Sequence, residues 1–452
     1  MNELNIEHLT ILSTLRTKGI STSAELQLSS RKSQATVSRL LADLGPQVLA
    51  MGQGRNTRYA LPVSIHGQPA QQPVWWVDEA GARWRVGTLS LLAGEQIHLA
   101  FGAADLTAKA TLPWFLQPLR AQGFLGRLLA VRLQQSGLTT NPERWGLESM
   151  LFAALQLHDA PGALLLGEQP GTYEQAPSPP VLPLQQGALH ATLDALAQNL
   201  TGLLPAGSSA GGEQPKFLAV LESGQHVLVK YTPPRGTPFG ERWHDLLHAE
   251  ALAADVLSEH GFLAARCSVL RSAQRTYLVS ERFDRVGGAG RSHVVSVGAV
   301  HDGLLGGPYT HWAASCEALA QRRHLDAEDA AQARTLLGFG HLIGNTDMHS
   351  GNLSLRVFVP DLRQRRFSGR LSLAPIYDML PMRWRPNPEM GGAADYSPFE
   401  PHLLNIAGTA YAPAMQFWEQ LAQWTVVSKA LRTVAADMAA RLRTAAPQRS
   451  LA

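Results

Sequence analysis

Within Gly344-Asn345-Thr346-Asp347-Met348-His349-Ser350-Gly351-Asn352, Asp347 and Asn352 stand five residues apart, and Asp378 follows 26 residues later, after the strand-like run RLSLAPIYD. One loop so spaced can present a carboxylate to a hydroxyl nucleophile and an amide oxygen to a magnesium ion, with Asp378 as the main metal ligand. Taken alone, Asp347 and Asn352 could equally stabilise a turn. The upstream order narrows the reading. Ser208-Ser209-Ala210-Gly211-Gly212-Glu213-Gln214-Pro215-Lys216 is a small-residue run ending in a lysine, whose backbone N–H groups can approach phosphate oxygens, although it is no Walker A sequence. As a lone glycine-rich loop it would ordinarily be a flexible hairpin. Lys230 ends the strand-like HVLVK, where an ammonium can bridge nucleotide phosphates, and Glu250 follows 20 residues later in a helical stretch. A Lys230–Glu250 ion pair of the kinase type is therefore geometrically reasonable. Loop, strand lysine, helix glutamate, strand with ERFDR, Asp-x-His-x-x-Asn and a final Asp follow the order that phosphoryl transfer demands.

Only six of the 39 basic residues are lysines (18, 32, 109, 216, 230 and 429), which gives Lys216 and Lys230 more weight than background. With 452 residues, 45% hydrophobic and 17% charged, the chain can bury large cores, divides into about three domains and is not dominated by disorder. No run of 18 or more uncharged apolar residues and no signal peptide is visible, so a soluble, cytoplasmic protein with no membrane partner is expected. Cys267 and Cys316 are too few for a disulfide framework or a cysteine zinc site and read as small buried side chains.

The net charge of +3 is concentrated at one end. Residues 1–61 hold seven Lys/Arg against four acids, so the other 391 residues sum to zero. That asymmetry is expected where only one end meets a polyanion. In IEHLTILSTLRT, Leu9, Leu12 and Leu15 stand at helical spacing; Ser21 or Thr22 can cap AELQL; and Val37, Leu40, Leu41 and Leu44 mark a third helix. Two short strands around Gly52-Gln53-Gly54-Arg55-Asn56 complete an order that resembles a winged helix-turn-helix. Phosphate contacts would come from Arg31, Lys32, Arg55 and Arg58, and base contacts from Gln34, Ser38 and Arg39. The alternative is a winged helix used for protein contact or dimerisation; a homodimer on a palindromic site is the default for such a module.

Past Pro62, tryptophan-rich alternation with turn signals at Glu79–Gly81 and Ala93–Glu95 predicts a β-containing subdomain, with Trp75, Trp76 and Trp84 as packing residues. Residues 111–166 read as mainly helical, and 167–187 as a Pro/Gly/Gln-rich connection. Strand pairs flank the helix HDLLHAEALAADVLSEHG, helices prevail after about 290, and a last helix near 413–444 carries a stripe from Leu421 to Leu442. The expectation is an α+β multidomain chain divided at 1–61, 62–187, 188–285 and 286–452. The last two parts would form the smaller lobe and the mainly helical larger lobe of a kinase-like fold.

Residues 75–440 resemble the HipA-like serine/threonine kinases of bacterial toxin–antitoxin systems, most specifically in SSAGGEQPK, SERFDR, IGNTDMHSGNLSL and LAPIYDML. With its fused basic module the chain resembles the YjjJ-like group of that family. The resemblance implies ATP and Mg2+ as cofactors, with Lys230 on the ATP phosphates, Asp347 as catalytic base and Asn352 and Asp378 on the metal. It also implies an adenine-contacting hinge at Glu281 and Phe283, and autophosphorylation in the glycine-rich loop at Ser209, with Ser208 as the alternative. Phosphate there would add about two negative charges where ATP phosphates bind, expelling the loop. The implied target is a translation component such as an aminoacyl-tRNA synthetase. This chain departs from the family in Ser350-Gly351, which leaves the catalytic loop without a lysine.

Two other readings stand beside this one. His341, Asp347 and His349 could suggest a metal hydrolase, but their spacing fits no short zinc motif well, and His349 reads better as ordering the loop. The second is a DNA-binding regulator whose kinase-like body senses nucleotide or a partner without efficient catalysis.

Overall fold

The structure, a computed structural model, describes residues 5–101, 104–157, 159–168, 179–203, 214–358, 370–386, 396–401 and 406–445. α1 (Ile6–Lys18), β1 (Ser21–Thr22), α2 (Ser23–Ser30), α3 (Gln34–Leu44), β2 (Leu49–Met51) and β3 (Arg58–Ala60) form a three-helix unit with a small sheet in the order β1-β3-β2. Side-chain caps set the helix starts. Thr22 and Glu25 form a capping box at α2, and Ser33 Oγ accepts from Thr36 N at α3. Val37, Leu40, Leu41 and Leu44 pack on Ile11, Leu15 and Leu26. The inward face of α1 centres on Ile11 and Leu15, while Leu9 is exposed. Six residues of helix put Leu9 roughly 120° around from Leu15, too far to share its face.

The middle unit is a five-stranded antiparallel sheet in the order β7-β6-β5-β4-β8. Its strands are β4 (Gln71–Val77), β5 (Arg83–Leu92), β6 (Gln96–Phe101), β7 (Ala104–Lys109) and β8 (Leu164–Leu166), and α4 (Gly123–Leu133) and α5 (Leu147–Leu155) precede β8. The turns fall at the expected places, with Gly81 and Gly94 both at positive φ. Residues 111–166 are less helical than their composition suggests: besides α4, α5 and short 3-10 turns they contain β8, whose three leucines are buried against β4. Trp76 is buried and Trp75 Nε1 donates to Gly167 O, but Trp84 is 53% exposed. Trp84 sits beside the β4–β5 turn, at the end of the sheet, where Asp78 Oδ2 accepts from its Nε1.

Next come β9 (Val181–Leu182), α6 (Gln186–Leu203), β10 (Lys216–Leu221), β11 (His226–Tyr231), α7 (Pro238–Glu259), β12 (Cys267–Arg271) and β13 (Thr276–Glu281), with sheet order β12-β13-β11-β10-β9. β14 (Arg285–Val286) and β15 (Gly290–Arg291) make a small ribbon. The larger lobe holds β16 (Val294–Ser296), α8 (Val297–Val300), α9 (Trp312–Gln321), α10 (Ala327–Leu342), β17 (Ser354–Val357) and β18 (Leu371–Leu373), then α11 (Tyr411–Gln423) and α12 (Lys429–Ala445). The long final helix expected from the apolar stripe is thus two helices. Trp424 turns extended, and Ser428 starts α12 by accepting from Leu431 N while its own N and Oγ donate to Asp245 of α7. A buried carboxylate demanding donors outweighs continuation of the helix. Stripe residues Leu421, Val427, Leu431, Val434, Met438 and Leu442 still enter one core with Trp312, Phe339 and Trp418. Cys316 is buried and Cys267 half-buried, both free, and burial pushes both thiols up to about 12. Among the described residues no helix is long and apolar enough to cross a membrane.

His293, at the head of β16, ties the middle unit to the larger lobe. Its Nδ1 accepts from Ala163 N at 3.1 Å and its Nε2 donates to Phe115 O at 3.0 Å. Burial pushes it down to about 4. The folded value lies below the unfolded one, so this contribution is complete above about pH 6.5 and is lost as pH falls toward 4. Chemical denaturation at pH 7 and pH 5 should therefore differ by about 2 kcal/mol from this ring, and His293→Gln should flatten that difference.

Candidate active site

Strand pairing sets the first side chains. In the β10–β11 hairpin Lys216 lies opposite Lys230, and the two share one face of the sheet. Lys230 Nζ donates to Glu250 Oε1 of α7 at 2.5 Å and also to Asp378 Oδ1. Lys230 and Glu250 are both buried, and the Asp378 side chain is 27% exposed. Burial opposes charge on all three. The carboxylates of Asp378 and Glu250 nonetheless hold Lys230 above the ordinary lysine range, and Lys230 and Lys216 draw Asp378 down to about 2. Burial, with the adjacent Asp378 charge, raises Glu250. The lysine is thus a fixed cation and Asp378 a fixed anion at neutral pH.

The loop after α10 is built by its own amides. Gly344 takes φ +75°, and a Cβ there would meet the Phe399 ring at 2.9 Å. Asn345 Oδ1 accepts from Asp347 N at 3.0 Å, while its Nδ2 donates to Asp378 O at 3.2 Å, joining both carboxylate segments. Asp378 itself holds φ +57°, a left-handed conformation that strains a residue with a Cβ by about 1–2 kcal/mol. Asn352 Nδ2 donates to Asp347 O at 2.7 Å, which leaves its Oδ1 without a hydrogen-bond partner among the described residues. Among the described residues the Asp347 carboxylate has no hydrogen-bond partner. His349 orders the loop: its Nδ1 accepts from Gly351 N at 3.0 Å, and its carbonyl accepts from Trp312 Nε1 at 2.8 Å. Tyr377 OH donates to Gly351 O and accepts from Ser354, and burial raises its phenol, so it remains a donor.

Two cavities meet at these residues. A cleft of about 1070 Å³ holds Asp347, His349 and Asn352 together with Lys216, Lys230, Glu250 and Asp378. A second, of about 980 Å³, shares those last four and adds Glu281 and Phe283, whose ring stacks on Tyr377 at 5.7 Å. The donor set fits a nucleotide with a divalent cation: one carboxylate and one amide oxygen for the metal, a fixed ammonium for phosphate and an apolar second cavity. Ser208, Ser209, Gly211 and Gly212 lie outside the described residues. Among the described residues no group of three or more His, Cys, Asp or Glu is placed to hold a metal.

Sequence reasoning missed Asn345, Tyr377 and Trp312, although the first two lie within the quoted motifs. It also missed what SERFDR does. Arg282 and Arg285 pair with Asp284 and with Asp159 of the middle unit at 2.5–2.9 Å, and Asp284 Oδ2 accepts from Gly162 N. Nothing local marks Asp159 for this role. At the other end of the chain Arg31, Lys32, Gln34, Ser38, Arg39, Arg55 and Arg58 are all exposed, with Lys32 Nζ 2.5 Å from Glu7 Oε1.

Comparison with known proteins agrees with this picture. The model of the HipA-like C-terminal domain matches residues 208–448, and that of the YjjJ-like toxin middle domain matches 68–174. Toxin YjjJ of Escherichia coli (strain K12) is 36% identical over 449 residues, 96% of this chain and 97% of its own. A chain of the Shewanella oneidensis MR-1 complex of HipA, HipB and operator DNA shares the fold, with a TM-score of 0.56 at 14% identity over 83% of this chain and 97% of that one. Architecture and matches together show a kinase-like α+β chain that belongs to the HipA-like toxin family, in the group with a YjjJ-like middle domain.

Proposed function

We propose that the chain is an ATP- and Mg2+-dependent protein serine/threonine kinase of the HipA type, acting in the cytoplasm, with a DNA-binding module at residues 1–61. The supporting observation is the convergence of Lys230, Asp347, Asn352 and Asp378 on one cleft beside the cavity of Glu281 and Phe283. Bound Mg2+ would supply charge neutralisation between the phosphates. Lys230, fixed by Glu250, would hold phosphate oxygens, and Asn352 and Asp378 would hold the metal. Asp347 takes the acceptor hydroxyl proton as that oxygen bonds to the γ-phosphorus and the bridging oxygen leaves with ADP. The acceptors are Ser208 or Ser209 in cis and a translation component such as an aminoacyl-tRNA synthetase in trans. Incubation of the full-length protein with γ-labelled ATP and Mg2+ tests this. Label on the chain or on an added translation protein supports it, and nucleotide binding without label contradicts it.

One observation favours the second reading, a nucleotide-sensing regulator: Asp378 Oδ1 is engaged by Lys230 here, so that carboxylate offers a metal only part of its acceptor capacity. The basic end serves either reading. The Shewanella HipA relative is in a complex with HipB and operator DNA, and by analogy we assign this chain a duplex partner and room for an antitoxin; a homodimer is the default for such a basic module. Duplex affinity should fall with salt, and Arg55→Ala, on the exposed wing, should reduce the slope of log affinity against log salt by about 1. An unchanged slope would place Arg55 off the DNA.

A further inference from the structure

The catalytic loop carries Ser350-Gly351 and no lysine, so the loop itself brings no cation to the phosphate in transfer. Lys230 is engaged by two carboxylates and Lys216 has partners of its own. Among the described residues one further cationic side chain borders both cavities, and it belongs to the middle unit: Arg120. Arg385 reaches the first cavity alone. The Arg120 Nε is buried without a hydrogen-bond partner, and among the described residues its guanidinium pairs with no carboxylate. A buried N–H donor left unpaired is costly, which argues for a ligand that completes it.

Arg120 is also held firmly in place. It ends the 3-10 turn Trp114–Leu119, its N donates to Gln117 O, and its neighbours Leu119 and Ala121 are buried in the middle-unit core. Gln117 Nε2 ties the same turn to Leu112 O, and Trp114 packs on Gly303 of the larger lobe. The arginine cluster on Asp159 and the His293 bridge fix the middle unit against both lobes. Gly123 and Phe124, the first residues of α4, border the same junction, and no side chain of Gln122 caps that helix.

We propose that Arg120 binds the phosphate being transferred, so that the middle domain completes the kinase site. Glu281 and Phe283 line one cavity and Asp347 the other, and Arg120 lines both, as Lys216, Lys230, Glu250 and Asp378 do, so a nucleotide spanning the two has Arg120 among its neighbours. A planar guanidinium gives paired donors to phosphate oxygens and gains most as charge develops on them. The inference rests on the kinase reading above.

The test compares full-length wild type, Arg120→Met and Arg120→Lys for calorimetric binding of MgATP and of adenosine, and for phosphate transfer, with the thermal midpoint without nucleotide as the folding check. Arg120→Met should weaken MgATP by about 10- to 100-fold, leave adenosine binding unchanged and slow transfer by about 100-fold. Arg120→Lys should recover part of both losses while the midpoint stays that of wild type. Arg120→Met equal to wild type in binding and transfer overturns the Arg120 assignment alone, as does equal weakening of MgATP and adenosine. If wild type binds MgATP without transfer and Arg120→Met still weakens it selectively, the Arg120 site stands and the kinase reading falls. A wild type that binds no MgATP overturns both.

Discussion

Asp347→Asn should slow phosphate transfer by about 10²- to 10⁴-fold while MgATP affinity and fold stay those of wild type. The backbone around Asp347 is fixed by other groups: Asn345 Oδ1 accepts from its N–H, and Asn352 Nδ2 donates to its carbonyl. Its carboxylate makes no hydrogen bond among the described residues, so an amide of the same shape removes the proton acceptor and little else. Initial rates with labelled ATP, beside calorimetric MgATP binding, measure the two effects. A rate equal to wild type would remove Asp347 from the chemistry, and a parallel loss of binding would make it a structural residue of the loop.

Asp284→Asn should have the largest effect on stability, a loss of about 3–5 kcal/mol in urea denaturation at neutral pH. Asp284 is buried, accepts from Gly162 N and pairs with both Arg282 and Arg285. Burial alone would raise its carboxyl, but the two guanidinium groups hold it well below the ordinary carboxylate range. Its folded value therefore lies below the unfolded one, so its contribution is complete above about pH 4 and is lost only in stronger acid. The substitution removes one charge and leaves Asp159 to neutralise two guanidinium groups. By contrast, the exposed pair Arg370–Asp326 should contribute under about 1 kcal/mol, because its side chains are 79% and 68% exposed. If Arg370→Ala and Asp284→Asn cost the same, the cluster does not join the middle unit to the kinase-like body.

Residues near one another in the chain, or linked by a regular period, were legible. The strand lysine and helix glutamate met because β11 and α7 are successive elements whose apolar patterns are plain, and the helices of the N-terminal unit showed in the Thr22 cap and the Val37, Leu40, Leu41 and Leu44 stripe of α3. The order of the motifs placed Asp347, Asn352 and Asp378 before any geometry was known, and two asparagine amides supply that geometry. What stayed hidden depends on partners far along the chain. Asp159 and Arg120 look like surface charges until the middle unit packs on the lobes. The break between α11 and α12 follows from Asp245, 183 residues before Ser428, and periodicity continues across it without a sign. Trp84 shows the converse: a large aromatic in a strand pattern, left outside because the sheet runs past its core.

Phosphate transfer within the chain is the central claim, and mass spectrometry of the full-length protein after incubation with ATP and Mg2+ tests it most directly. Phosphate mapped to Ser208 or Ser209 in wild type, and absent in Asp347→Asn treated in the same way, is the expected result. ATP bound with no phosphate on either serine or on any added protein would contradict the kinase account and leave the nucleotide-sensing regulator in its place.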